Sequence, residues 1–232
     1  MSSIGILGGL SYQSTIYYYR LINELYYKSR GEHPEIVIES ISLERFSGLL
    51  SQRRYDEISE LLINSLNRFS AYNISAALIA SNTPHFILNR ILDRIKVPMI
   101  SILDSVRSAL QKDERKKVVL LGTAFTMNSE YYKDFLYKSA IEVMVPSQED
   151  IRIINTIIFE ELALGIFRKE SGEIITGIIT RLLPQGIDGV ILGCTELPLL
   201  LGEEVNQIQL YNTSELHCRF LMNYLNLEKN NG

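Results

Sequence analysis

The segment Ala77-Leu-Ile-Ala-Ser-Asn-Thr83 is matched by Gly189-Val-Ile-Leu-Gly-Cys-Thr195, and both end in a polar tripeptide where a strand should stop. Upstream of them, Ile4-Gly-Ile-Leu-Gly-Gly9 is matched by Val118-Val-Leu-Leu-Gly-Thr123. The offsets between the copies agree to within one residue, since 194 − 81 is 113 and 122 − 8 is 114. The chain is therefore predicted to contain two similar halves, each of which brings a small polar or nucleophilic group to a strand end.

Apolar β-rich runs alternate with amphipathic or capped helical patterns along the whole chain. This alternation predicts an α/β fold with parallel sheets that helices cover on both faces. The predicted strands are Ile4–Leu7, Ile36–Ser40, Ala76–Ala80, Met99–Ile102, Val118–Leu121, Glu142–Val145, Gly189–Leu192 and Gln209–Tyr211. We expect residues 1–100 to form the first half, completed by 207–232, and residues 101–206 to form the second half.

Composition excludes several classes of protein. The 232 residues are 46% hydrophobic and 22% charged, as in an ordinary globular protein. A net charge of −4 without a Lys/Arg cluster predicts no nucleic-acid partner. The apolar runs are too short to span a bilayer, Met1 leads directly into a strand-like run, and two cysteines make no disulfide framework. We expect a cytoplasmic protein without a membrane partner.

All four repeated motifs lie at predicted carboxyl ends of strands, where open parallel sheets bind ligands. Thr83 precedes Pro84 and Thr195 precedes Glu196, which predicts that a helix starts after each motif. Amide groups at a helix N-terminus bind anions. The sequence therefore predicts a small acidic ligand.

Cys194 is the most reactive candidate. An isolated cysteine is most often a small buried hydrophobe, and Cys218, inside the last helix, fits that description. Cys194 instead lies at a strand end before a predicted helix, a setting that lowers a thiol pKa. Gly8 and Gly9 lack the spacing of a nucleotide-binding loop, so we interpret them as a tight turn close to a ligand.

The other polar candidates carry weaker signals. His33, His85 and His217 have no metal-ligand spacing, and we expect no metal; His85 fits a structural role better than a catalytic one. One of three arginines is a candidate for binding a substrate carboxylate, with Gln52 supplying neutral hydrogen bonds. These arginines are Arg45, Arg53 and Arg54.

At these motifs the sequence resembles the aspartate/glutamate racemase family, cofactor-independent enzymes of two flavodoxin-like halves. The resemblance covers nearly the whole chain and is nearest to the bacterial branch acting on L-aspartate and L-glutamate. It is carried by Ile4-Gly-Ile-Leu-Gly-Gly-Leu-Ser11, Tyr17-Tyr-Tyr-Arg-Leu-Ile-Asn-Glu24, Gln52-Arg-Arg54, Ser81-Asn-Thr-Pro-His85, Leu121-Gly-Thr-Ala-Phe-Thr126, Ile157-Ile-Phe-Glu-Glu-Leu162 and Gly193-Cys-Thr-Glu196.

The resemblance implies a racemase without a cofactor, a pseudo-twofold arrangement with the active site in the cleft between the halves, and a homodimer. It implies that Cys194 and Ser81 exchange the α-proton on opposite faces of the substrate. The implied substrate-binding residues are Leu10, Ser11, Gln52, Asn82, Thr83, Thr123 and Thr195.

Two positions depart from the family pattern. Ser81 stands where most members have cysteine; the branch that this chain most resembles accepts a hydroxyl residue there, and an engineered replacement gives the same sequence. Ala163 stands where other aspartate racemases have a substrate-binding lysine. The alternatives are a decarboxylase or cis-trans isomerase of a small dicarboxylate, or a ligand-binding homologue with impaired catalysis.

Overall fold

The computed structural model describes residues 3–230, with the backbone alone described for residues 227–230. Contacts divide the chain into two compact units. The first unit runs to Ile102 and takes in the segment from His217 onward, and the second is Leu103–Leu216. Each unit is an α/β structure built on a mainly parallel sheet, as the alternating pattern predicted.

The first unit contains a four-stranded parallel sheet in the order β2-β1-β3-β4. Its strands are β1 Ser3–Gly8, β2 Glu35–Ser40, β3 Ala76–Ile79 and β4 Met99–Ile100. The intervening helices are α1 Tyr12–Arg30, α2 Leu43–Ser51, α3 Tyr55–Asn67 and α4 His85–Ile91. The central strands β1 and β3 are fully buried, because helices cover both faces of a parallel sheet.

The second unit repeats this topology in the order β6-β5-β7-β9-β8, with β8 antiparallel at the edge. Its strands are β5 Lys117–Leu121, β6 Glu142–Met144, β7 Gly189–Leu192, β8 Glu204–Val205 and β9 Ile208–Asn212. Its helices are α5 Ile102–Lys112, α6 Ala124–Asn128, α7 Tyr131–Tyr137, α8 Gln148–Glu160 and α9 Lys169–Leu182, and α10 Thr213–Asn230 follows β9. The matching strand orders confirm two similar halves.

The expectation that the last strand completes the first half is wrong. β9 pairs in parallel with β7, with Leu210 opposite Val190, so it belongs to the second sheet. Only the following helix joins the first unit: Cys218 and Leu221 of α10 are fully buried in a cluster with Ile6 of β1. A strand and the helix after it therefore belong to different halves.

The end of α5 is held by a polar contact with the last strand of the second sheet. The hydroxyl of Tyr211 in β9 donates to Asp113 at 2.8 Å and accepts from Nε of Arg115 at 2.9 Å. Both partners lie just beyond the end of α5. Because α5 follows β4 of the first sheet, each half takes its final helix from the chain that follows the last strand of the other.

The turn after β1 depends on glycine. Gly9 has φ +87°, and a Cβ there would lie 2.2 Å from the carbonyl oxygen of Ile41. The amide of Gly9 donates to Thr15 Oγ1 at 3.0 Å. The close neighbours of this turn therefore belong to the chain itself, which accounts for the glycine without a ligand.

Gly31, at the end of α1, provides a matched comparison for this turn. It has φ +71°, but a Cβ there would meet nothing within 4 Å. We expect Gly31→Ala to lower the free energy of unfolding by about 1 kcal/mol, the cost of the left-handed backbone alone. Gly9→Ala should cost roughly 3 kcal/mol or more because the backbone near Ile41 must also move. Equal losses in urea titrations would contradict the close approach.

Candidate active site

In the first unit, the strand register fixes the position of Ser81. Leu7 of β1 lies opposite Ile79 of β3, the last pair of that ladder. One residue beyond it, the amide of Ala80 still donates to the carbonyl of Leu7 at 2.9 Å. Ser81 follows, with its amide turned back to the Ile79 carbonyl at 2.8 Å. Ser81 is thus the first residue to leave the sheet.

The second unit repeats this arrangement at Cys194. Leu121 of β5 lies opposite Leu192 of β7, and the amide of Gly193 donates to the carbonyl of Leu121 at 2.6 Å. Cys194 follows, two residues beyond the last strand residue. Cys194 and Ser81 therefore occupy the same position, each in its own half, in agreement with the 113-residue offset of the sequence.

The Cys194 thiol is buried beside a carboxylate. Only 7% of the residue is exposed, and its Sγ donates to Oε2 of Glu196 at 3.1 Å. The hydroxyl of Thr195 donates to the same oxygen at 2.7 Å. Thr195 and Glu196 are buried as well. The side chains of Cys194, Thr195 and Glu196 therefore form one compact hydrogen-bonded group.

This environment corrects the expectation of a lowered thiol pKa. Burial first, and the neighbouring Glu196 charge second, raise the pKa of the Cys194 thiol well above its ordinary value. The predicted helix after Thr195 is also wrong, because only a 3₁₀ turn, Leu197–Leu199, follows without a side-chain cap. No helix dipole of useful length therefore stands behind the sulfur to stabilise a thiolate.

The matching loop of the first unit carries no comparable charge. Asn82 is buried and Thr83 is half-buried. The helix predicted after Thr83 exists as α4, but it has seven residues and begins after Pro84 without a side-chain cap. Ser14 Oγ in α1 donates to the carbonyl of Ala80 at 2.7 Å. This buried contact, which the sequence motifs did not indicate, ties the strand end to α1.

His85 supports the backbone at Ser81. Its Nδ1 lies 3.0 Å from the carbonyl oxygen of Ser81 and 3.3 Å from that of Asn82. Its Nε2 accepts from the amide of Ile102 at 3.3 Å. Because carbonyls only accept and amides only donate, the ring is neutral with hydrogen on Nδ1. The geometry gives His85 the structural role that the sequence favoured.

His217 of α10 lies beside His85, with the ring centroids 5.7 Å apart. Its Nε2 donates to the carbonyl of Ile100 at 2.9 Å, and its Nδ1 accepts from the hydroxyl of Tyr18 at 3.1 Å. Burial lowers the pKa of His217 from 6.5 to about 4. Burial and the neighbouring His217 lower the pKa of His85 to about 3. Both rings stay neutral at physiological pH.

The remaining predicted residues lie on other elements of each half. Ser11 and Thr123 are helix N-caps: Ser11 Oγ accepts from the Ser14 amide at 3.2 Å, and Thr123 Oγ1 from the Thr126 amide at 3.3 Å. Leu10 is buried in the core of the first unit. Ser11 and Thr123 thus cap helices, and Leu10 fills the core, so each of these residues has a structural role that is independent of any ligand.

The polar segment after α2 is largely exposed. Gln52 Oε1 accepts from Arg54 Nη1 at 3.3 Å, and Arg54 Nη2 donates to Glu57 at 2.6 Å. Arg45 and Arg53 are exposed. Of the three arginines proposed for carboxylate binding, Arg54 is already paired with a carboxylate of its own chain.

Within residues 3–230, no group of three or more His, Cys, Asp or Glu side chains is arranged to hold a metal ion. No helix among these residues has the length and apolar character needed to cross a membrane.

The family model described as Asp/Glu/Hydantoin racemase matches residues 7–221. An aspartate racemase homologue from Pyrococcus horikoshii is 34% identical with a TM-score of 0.84, over 97% of this chain and all of that one. A candidate Asp/Glu racemase from Yersinia pestis is 29% identical with a TM-score of 0.88, over the same shares.

A glutamate racemase from Carnobacterium is 26% identical over 67% of this chain. The alignment spans 60% of that relative's length, which is less than two thirds of it.

The histidine pair predicts a loss of stability in acid. Because both folded pKa values lie below 6.5, the unfolded chain binds more protons between pH 6.5 and about 3. The contribution of the two histidines to the free energy of unfolding should be complete above pH 6.5. It should fall as the pH is lowered, by up to ~1.4 kcal/mol per pH unit for each ring. Urea titrations at several pH values measure this change, with His85→Gln as the matched variant that loses part of it. Identical profiles for both proteins would contradict the assignment.

Proposed function

Since this chain belongs to the Asp/Glu/Hydantoin racemase family, we propose that it is an amino-acid racemase acting on L-aspartate or L-glutamate without pyridoxal phosphate. The observation that carries the proposal is the equivalence of Ser81 and Cys194, each the first residue beyond the central ladder of its half. Racemisation needs one group to remove the α-proton and another to return a proton on the opposite face. A repeated fold supplies such a pair.

We assign proton abstraction to Cys194 as thiolate, with Ser81 acting on the other face. A serine hydroxyl donates and accepts hydrogen bonds but has almost no ionised population near neutral pH. General acid-base catalysis works best when the pKa lies near the working pH. Ser81 therefore serves as a donor or as a relay to water, and turnover should be slower than with two cysteines.

We assign substrate binding to polar groups at the strand ends, which would stabilise the charge that develops as the α-proton leaves. Thr195 donates its hydroxyl to Glu196, and the Thr123 hydroxyl lies 3.1 Å from Thr126 Oγ1. Carboxylate binding at these two positions would therefore fall to their backbone amides. The other assigned residues are Leu10, Ser11, Gln52, Asn82 and Thr83.

The decisive prediction is exchange of the substrate α-hydrogen with deuterated solvent, followed by NMR for both enantiomers of aspartate and glutamate. Cys194→Ala should reduce exchange by about 10²-fold or more, because the base is lost. Cys218→Ala is the matched control, since Cys218 is buried in a core cluster and should leave exchange intact. An unchanged exchange rate in Cys194→Ala would reject the assignment of Cys194 as the base. Release of carbon dioxide instead of exchange would identify a decarboxylase.

Replacing Ser81 with cysteine tests whether the side chain at this position takes part in the proton transfer. Ser81→Cys should raise the exchange rate by about tenfold or more, because a thiol ionises far more readily than a hydroxyl. Ser81→Ala should lower it below the native rate. If both variants match the native protein in exchange rate and in thermal stability, Ser81 takes no part in the reaction.

We also propose that the protein is a homodimer. Four side chains on one face of α1 are each between 48% and 59% exposed, and an exposed apolar face of this kind marks an interaction surface. They are Tyr12, Ile16, Tyr19 and Tyr27. Light scattering should give twice the chain mass of 26.5 kDa. A mass equal to one chain at every concentration would contradict the dimer.

A further inference from the structure

Asn155 of α8 is a polar side chain beside the apolar face of its helix. Buried isoleucines, Ile154 and Ile158 among them, form that face, and Asn155 itself is half-buried. Its Oδ1 accepts from the amide of Ala124 at 2.8 Å, a contact between residues 31 positions apart. Ala124 begins α6, directly after Thr123. Asn155 therefore reaches from α8 to the segment that follows β5.

The contact with Ala124 determines how the amide group of Asn155 is oriented. A backbone N–H only donates, so the atom that faces it must be the carbonyl oxygen Oδ1. Nδ2 is bonded to the same carbon and carries its two hydrogens on the other side of the amide group. Within residues 3–230, no acceptor makes a hydrogen bond with this nitrogen. Asn155 thus presents a donor of fixed orientation that has no partner in the described part of the chain.

Asn67 shows how an asparagine with a structural role bonds in this chain. It is also half-buried, and its Oδ1 accepts from the amide of Lys96 at 2.8 Å. Its Nδ2 donates to the carbonyl of Arg94 at 3.0 Å, so both ends of the amide hold the backbone. Asn155 differs because its donor end is not used in this way. A free donor end is what an amide needs in order to bind a ligand.

The free donor of Asn155 lies near the backbone of Thr123, at the end of β5. The Thr123 amide also makes no hydrogen bond within residues 3–230. A Cβ on Gly122 would lie 3.0 Å from the carbonyl oxygen of Gly193, so this segment closely approaches the residue before Cys194. Open parallel sheets bind ligands at this edge. Because α6 has only five residues and contributes no useful dipole, the donors here are neutral N–H groups.

We propose that Asn155 binds a carboxylate of the substrate through Nδ2, together with the backbone amide of Thr123. A hydrogen bond to an ionised acceptor is stronger than one between neutral groups, so a carboxylate gains more from these donors than a neutral ligand does. The inference rests on the proposed racemase function, which supplies an acidic amino acid as the ligand. It adds a side chain of α8 to the residues assigned to substrate binding.

Two substitutions of Asn155 separate ligand binding from support of the backbone. Asn155→Asp keeps an oxygen that accepts from Ala124 but replaces the donor with a negative charge, whereas Asn155→Ala removes both. Above neutral pH, Asn155→Ala should raise the KM for α-hydrogen exchange about tenfold with little change in kcat, because binding of substrate and transition state is lost equally. Asn155→Asp should raise the KM by a further tenfold or more, because like charges repel.

The order of the two variants distinguishes the two roles. If Asn155 only supported the backbone, the order would be reversed, with Asn155→Asp close to the native protein. Asn67→Asp is the matched control, since it makes the same chemical change at a structural asparagine and should leave the KM unchanged. A KM for Asn155→Asp equal to or below that for Asn155→Ala would overturn the inference. Should Asn155→Asp fail to fold, an unchanged KM in Asn155→Ala would overturn it as well.

Calorimetric titration with succinate separates the inference from the function on which it rests, because succinate has two carboxylates and no α-ammonium group. If the native protein exchanges no acidic amino acid but binds succinate, and Asn155→Asp abolishes that binding, the racemase proposal fails and the carboxylate site stands. If the native protein exchanges substrate and the variants follow the reversed order, the racemase proposal stands and the role of Asn155 is rejected. Absence of both exchange and succinate binding rejects both.

Discussion

Hydrogen bonding between the two central strands of each sheet determines which residue first leaves the sheet. In the first unit the ladder from Leu7 to Ile79 continues for one amide, at Ala80, and then ends. The second unit ends its ladder in the same way. A shift of one residue in either register would replace the side chain at that position with its neighbour on the chain. The chemistry of the strand ends therefore depends on backbone pairing.

The two halves share this geometry but differ in electrostatics. Behind Ser81 lie two neutral imidazoles, His85 and His217, which hold carbonyl groups and carry no charge at neutral pH. Behind Cys194 lies the Glu196 carboxylate. Among the described residues, a carboxylate therefore lies beside the cysteine and neutral rings lie near the serine. This asymmetry accords with a hydroxyl in one half and a thiol in the other.

Repeated motifs and strand-helix alternation were enough to predict the α/β class, the two halves and most strands, because buried parallel strands are short apolar runs. These patterns could not show which of the two sheets β9 joins. Leu210 and Tyr211 suit any buried parallel strand, and the sequence of one strand does not reveal the strand with which it pairs. The thiol pKa was predicted in the wrong direction for a similar reason. Its value depends on burial and on where the Glu196 side chain points, and neither follows from spacing.

The first turn of α10 shows how this division of the chain affects the candidate site. Thr213 Oγ1 donates to the carbonyl of Leu192 at 2.8 Å, in the second unit, two residues before Cys194. His217, four residues later in the first unit, donates to Ile100 and lies against His85, which holds the Ser81 carbonyl. The first turn of α10 thus contributes one buried hydrogen bond to each unit. Because both hydrogen bonds are buried, losing either donor should cost about 1 kcal/mol of stability. Thr213 and His217 therefore support the backbone of their units through buried hydrogen bonds, a role that requires no direct part in catalysis.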